Sequence, residues 1–100
     1  MYVSRLSFHT RPGQTDAVTQ RLARLAQLVE AAGRARPRVL RMSMASPGAP
    51  DLQFEEQFST LAELESSMQS VMAAADFEAW SRATSELLLQ PPKREILTIE

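Results

Sequence analysis

Leu52-Gln53-Phe54-Glu55-Glu56-Gln57-Phe58-Ser59-Thr60-Leu61-Ala62-Glu63 holds a strand and the start of a helix back to back. Leu52, Phe54, Glu56 and Phe58 alternate with Gln53, Glu55 and Gln57, the period of a strand with one buried face. Thr60-Leu61-Ala62-Glu63 has the form of a capping box, a hydroxyl that accepts from the N3 amide and a Glu that reaches back. Upstream, Ser46-Pro47-Gly48-Ala49-Pro50-Asp51 is dense in turn formers. Before it, Val39 to Ala45 sets Leu40, Met42 and Met44 against Arg41 and Ser43, so a hairpin is predicted. Downstream, Leu61, Leu64, Met68, Val71 and Met72 recur at helical spacing. After Ala73-Ala74-Ala75, Asp76 reads as a new capping residue before Phe77, Trp80, Thr84 and Leu87, which predicts a break in the helix. Gln90-Pro91-Pro92 ends that helix, and Glu95 to Glu100 alternates again as a last strand.

The N-terminal part completes the order. Tyr2 to Thr10 alternates Leu6 and Phe8 with Arg5, Ser7 and His9 as a first strand, and Arg11-Pro12-Gly13 breaks it. From Thr15, Val18, Leu22, Leu25, Leu28, Val29 and Ala32 form a helical stripe that Gly33 closes in a left-handed cap. The sequence therefore predicts an α+β, ferredoxin-like βαββαβ fold over residues 1–100, a four-stranded antiparallel sheet with two helices on one face. Alternation assigns Leu6, Phe8, Leu40, Met42, Met44, Phe54 and Phe58 to the helix side. Arg5, Ser7, His9, Arg41, Ser43, Gln53, Glu55 and Gln57 fall on the other face, with Val3 and Val39. A second copy packed on that face would form a homodimeric barrel with the helices outside, provided that the buried charges find partners.

Composition narrows the functional classes. The chain has 100 residues, 44% of them hydrophobic, and a net charge of -1, which removes whole-molecule attraction to nucleic acid or anionic membrane. The charge is unevenly placed. Residues 1–41 hold eight Arg and two acidic residues, whereas residues 51–100 hold three basic and ten acidic ones. Two readings stand: internal and inter-subunit complementarity, or an anion site at Arg34, Arg36 and Arg38. With no cysteine and one histidine, neither a thiolate nucleophile nor a metal site is expected, and no Gly-rich phosphate loop is present. RNA-binding sheets of this topology need aromatics on the exposed face, and here the strand aromatics fall on the helix side. The longest apolar run, Val71 to Ala75, is far short of the roughly 20 residues of a membrane span. Met1 leads almost directly into a strand pattern with no room for a secretory segment, so a cytoplasmic location is expected.

Over essentially its whole length the pattern resembles the dimeric α+β barrel superfamily, in particular NIPSNAP-like and antibiotic-biosynthesis-monooxygenase-like domains. Tyr2-Val3-Ser4-Arg5 followed by Arg11-Pro12-Gly13 resembles the opening of such domains. Phe54 to Leu64 resembles the third strand and its following helix, Asp76-Phe77-Glu78-Ala79-Trp80 the later helix, and Arg94-Glu95-Ile96-Leu97 the closing strand. The resemblance implies a homodimer and a small, partly apolar organic ligand or substrate, with monooxygenase-like chemistry that needs no cofactor. The haem-degrading branch of the superfamily would need an Asn where this chain has Leu6 and a His where it has Ser81, and its helix Trp would fall in Ser67 to Val71, which lacks one.

Individual residues offer candidate chemistry beside plainer roles. His9 is the one side chain whose unperturbed pKa lies near neutrality, so acid–base catalysis would look to it first; otherwise it is a strand-end or interface residue. Arg5 and Arg41 would clamp a carboxylate or enolate, or else pair with Glu55. Trp80, Phe77, Met68, Met72, Met42 and Met44 would line a soft apolar pocket between the second helix and the sheet, or simply fill the core. The alternative to an enzyme is a non-catalytic dimeric ligand-binding or assembly module.

Overall fold

The computed structural model describes residues 1–100. The elements are β1 (Tyr2–Phe8), α1 (Thr15–Ala31), β2 (Arg38–Arg41), β3 (Leu52–Phe58), α2 (Leu61–Met72), α3 (Phe77–Ser85) and β4 (Lys93–Thr98). They form one antiparallel sheet in the order β2-β3-β1-β4, the ferredoxin-like α+β arrangement, with the second helical region divided in two.

The local signals act largely as their chemistry dictates. Thr60 accepts a hydrogen bond from the Glu63 amide at 3.1 Å, while the Glu63 carboxylate accepts from the Ser59 amide at 3.2 Å, one residue before the usual capping-box partner. Gly33, at φ +87°, closes α1 in a Schellman motif: its amide donates to the Glu30 carbonyl and that of Arg34 to the Val29 carbonyl. α2 ends and α3 begins around Asp76, but Asp76 does not cap α3. Its carboxylate instead accepts from Arg24 Nη2 at 2.6 Å and ties the break to α1.

The core lies between the sheet and the helices. Phe8, Leu52, Phe54 and Phe58 from the sheet meet Val18, Leu22, Leu25 and Val29 from α1 and Val71 from α2. Each fully buried side chain of this size contributes about 1.5–3 kcal/mol relative to exposure, so this layer dominates the stability.

β2 departs from the expectation. It stops at Arg41, which pairs with Leu52; one last bond runs from the Met42 amide to the Asp51 carbonyl at 2.9 Å, while the Asp51 amide donates to the Phe8 carbonyl and its carboxylate accepts from the Thr10 amide at 2.8 Å. β3 thus has no residues left to pair with positions 43–45, and Met44 is 89% exposed. The register also reverses the faces. Val39 sits opposite Phe54 and packs on the core, whereas Leu40 sits opposite Gln53 on the outer face. Because strand side chains alternate, a one-residue difference in phase moves them all. Arg41 therefore does not share a face with Arg5, and Leu40 joins Val3 and Leu97 as the aliphatic members of the outer face.

Four of the seven ion pairs join the basic N-terminal part to the acidic C-terminal part: Arg5–Glu55, Arg38–Glu55, Arg24–Asp76 and Arg34–Glu63. The charge asymmetry of the sequence is to that extent internal complementarity. No helix is long and apolar enough to cross a membrane.

Candidate functional site

The break between α2 and α3 leaves a space above the sheet. α2 directs Ser67, Met68, Val71 and Met72 toward it, α3 directs Phe77, Trp80 and Ser81, and Leu6, Phe8 and Phe54 form its floor. The cavity has a volume of about 200 Å³, and ten of its fifteen lining residues are hydrophobic, so its main interaction with any occupant is apolar. Trp80 is fixed by its indole N–H, which donates to the Arg21 carbonyl on α1 at 2.6 Å, and its ring stacks on Phe77 with centroids 5.8 Å apart. Those contacts hold one wall rigid.

Four of the residues singled out in the sequence come together here: Trp80, Phe77, Met68 and Met72. Met42 and Met44 do not, since both follow the end of β2 and neither borders the cavity. Arg5, His9 and Arg41 lie elsewhere and apart from one another. Arg5 is on the outer face with Nε 2.5 Å from Glu55, Arg41 pairs with Asp16 at 2.6 Å, and the His9 carbonyl accepts from the Leu89 amide at the end of β1.

The polar end of the cavity is formed by Glu56 and Arg94, with buried Ser67 beside them. Ser4 on β1 lies opposite both Glu56 on β3 and Ile96 on β4, and Arg94, two residues before Ile96, leans across so that Nη1 donates to Ser4 Oγ at 2.5 Å. Burial pushes the Glu56 carboxyl above its ordinary range, against the weaker pull of the Arg94 and Arg34 charges. Burial likewise lowers Arg94, and the Glu56 charge offsets it in part; a guanidinium nonetheless stays charged. Both residues were legible as anomalies. Glu56 occupies the apolar phase of Leu52, Phe54 and Phe58, and Arg94 shares the phase of Ile96.

Directly across the sheet, Glu55 is 5% exposed and receives Arg5 at 2.5 Å and Arg38 at 2.7 Å. Burial pushes its carboxyl up, but the hydrogen bonds and charges of Arg38 and Arg5 outweigh that and leave it below the usual carboxylate range. A second, polar cleft lies between Arg34, Arg36, Arg38 and the Glu55–Gln57 segment. Each of its arginines already faces a carboxylate: Glu63, Glu30 and Glu55 respectively. No three His, Cys, Asp or Glu side chains are placed to hold a metal ion.

The fold, a four-stranded antiparallel sheet with helices on one face, is shared with solved structures of NIPSNAP domain proteins and antibiotic-biosynthesis-monooxygenase-like proteins. An uncharacterised NIPSNAP domain protein from Burkholderia xenovorans superposes with a TM-score of 0.80 at 11% identity, covering 100% of this chain and 95% of that one. A proposed antibiotic biosynthesis monooxygenase from Nitrosomonas europaea gives 0.71 at 16% identity, covering 98% and 97%. A Pseudomonas aeruginosa protein gives 0.72 at 20% identity, covering 99% and 93%. At these identities the likeness is one of fold. No family model and no curated protein matches the sequence.

Proposed function

We propose that this chain, as a homodimeric NIPSNAP-like or monooxygenase-like protein, binds or acts on a small, partly apolar organic molecule in the cavity between sheet and helices. The observation that carries the reading is the open volume of about 200 Å³ beside Trp80. An apolar cavity of about 150 Å³ accepts benzene, so one ring with a short substituent fits. A module whose only role was assembly would gain stability from filling that volume, at about 24 cal/mol per Å³. Trp80, Phe77, Met68 and Met72 would hold the apolar part, with Glu56 and Arg94 at the polar end. Arg5, His9 and Arg41 would take part in chemistry only if the assembled dimer brought them to the ligand. In support of dimerisation, Leu40 and Leu97 are each 37% exposed on the outer face, where a second copy would cover them.

The only Trp in the chain lines the cavity, so its fluorescence reports occupancy. Titration with toluene is expected to give a saturable shift in emission that Ser67→Phe, which fills part of the space without adding a second Trp, abolishes while leaving the far-UV circular dichroism intact. Sedimentation at the same concentration tests the dimer. Absence of any saturable shift up to the solubility of toluene would overturn the assignment of the cavity as a binding site.

A further inference from the structure

Arg94 stands apart among the ten arginines. Seven form ion pairs with carboxylates, and Arg11 and Arg21 are exposed to water outside the cavity. Arg94, although exposed like the rest of β4, borders the apolar cavity, with one hydrogen bond, to Ser4 Oγ, and no carboxylate in salt-bridge range. The carboxyl that shares its cavity, Glu56, is in no ion pair and accepts no side-chain hydrogen bond. Two ionisable groups thus converge on one end of an apolar space without using each other, and both keep unspent hydrogen-bonding capacity.

A guanidinium presents a planar fork of N–H donors, and only one nitrogen of Arg94 is committed to Ser4. The complement of a free fork is a pair of oxygens in a plane, which is a carboxylate. Arg94 brings a positive charge to a monoanion, and Glu56 beside it, when protonated, has an acid proton to share with one ligand oxygen. An ionised Glu56 would repel the same ligand. The charged groups around Glu56 are Arg94 from β4 and Arg34 from the segment after α1, the latter also paired to Glu63 of α2, with Arg36 and Arg38 in the polar cleft that Glu56 also borders, paired to Glu30 and Glu55; the other polar neighbours are Ser4 of β1, Ser67 of α2 and Ser81 of α3.

We propose that the ligand is a small monocarboxylic acid with an apolar or aromatic body, its carboxylate held by the free fork of Arg94 beside Glu56, its body against Trp80, Phe77 and Met68. This rests on the cavity being the binding site and names the chemical class that the site selects.

The test compares phenylacetate, phenylacetamide and toluene by Trp80 fluorescence on the full chain. Phenylacetate is expected to bind about tenfold more tightly than the isosteric amide, the scale of one charge-assisted hydrogen bond. Its affinity is expected to fall as pH rises through the Glu56 titration, and Glu56→Gln to flatten that dependence. Arg94→Gln is expected to erase the preference for the acid over the amide. Should Arg94→Gln fail to fold, Ser4→Ala, which frees the guanidinium, is expected to weaken phenylacetate severalfold and spare toluene. If toluene binds but the amide equals or exceeds the acid, or the preference survives in Arg94→Gln, the carboxylate assignment is overturned and the cavity reading stands. If no probe binds, toluene included, both fall.

Discussion

Glu55 is the position at which the electrostatics of the sheet can be measured most directly. Glu55→Gln keeps the shape of the side chain and removes its charge, leaving Arg5 and Arg38 without an anion. The two arms differ in value. Arg38 is 69% exposed, so its pairing is screened and contributes about 0–1 kcal/mol. Arg5 is 33% exposed against a carboxylate that is 5% exposed, and a hydrogen bond to a charged group in such a setting contributes about 1.5–3 kcal/mol. The substitution also removes the cost of keeping a carboxylate out of water, which draws the total to about 2 kcal/mol. For a domain of this length that corresponds to a fall of roughly 10 °C in Tm, or about 1 M in the urea midpoint. The pH dependence fixes the sign. The folded-state pKa of Glu55 lies below its unfolded value, so its contribution is complete above the unfolded pKa and is lost as pH falls through the folded one. The gap between wild type and variant is therefore widest at neutral pH and closes in acid. Urea melts at pH 7 and in acid, at one protein concentration, measure it. A midpoint unchanged at pH 7, or a gap that widens as pH falls, would refute the reasoning.

Four further outcomes are expected. Leu22→Ala, at a site with no exposed surface, is expected to cost about 2–5 kcal/mol in denaturant melts, by lost transfer energy and the cavity left behind. Thr60→Ala removes the acceptor for the Glu63 amide and is expected to cost about 1 kcal/mol, with helical circular dichroism retained. Gly33→Ala has open space around the added methyl group but forces it into the left-handed region at φ +87°, and should cost about 1–2 kcal/mol by the same assay. Glu56 behaves oppositely to Glu55: its folded pKa is raised, so its contribution is complete below the unfolded pKa and declines as pH rises toward the folded value. Glu56→Gln is expected to remove that decline, making the variant the more stable at neutral pH in thermal melts followed across pH.

The elements were readable where one chemical signal decided each of them. Phe54 and Phe58 in alternation, Thr60 with Glu63, and Gly33 after a helical stripe each set local structure without help from afar. β2 was not readable to its end. Its apparent pattern, Leu40-Met42-Met44, continued past the point where Asp51 commits β3 to the end of β1, and that commitment depends on contacts 41 residues apart with Thr10. Asp76 shows the same limit, for a capping residue in sequence became an ion-pair partner once Arg24 lay within 2.6 Å. The cavity was legible in its helix-borne part, because Met68 with Met72 and Phe77 with Trp80 each recur at helical spacing on an apolar stripe. Its polar end was not, because Glu56 and Arg94 are distant in sequence and only the β3-β1-β4 order brings them to one cavity.

The position of the cavity follows from the division of the second helical region. A continuous helix over the sheet would bring one apolar stripe down along its whole length and close the space. Here α2 stops at Met72 and α3 restarts at Phe77. The new segment is anchored sideways to α1, by Asp76 to Arg24 and by the Trp80 indole to the Arg21 carbonyl. Those two bonds fix α3 by its flank, away from the sheet, so Phe77 and Trp80 form a wall where a continuous stripe would have formed a lid. Glu56 and Arg94 close the far end from the sheet itself, on the two strands that the β3-β1-β4 order places on either side of β1. An apolar wall fixed from α1 and a charged end carried by the sheet are both in place in the free chain, which is the preorganisation that the proposed binding function requires of a volume of about 200 Å³.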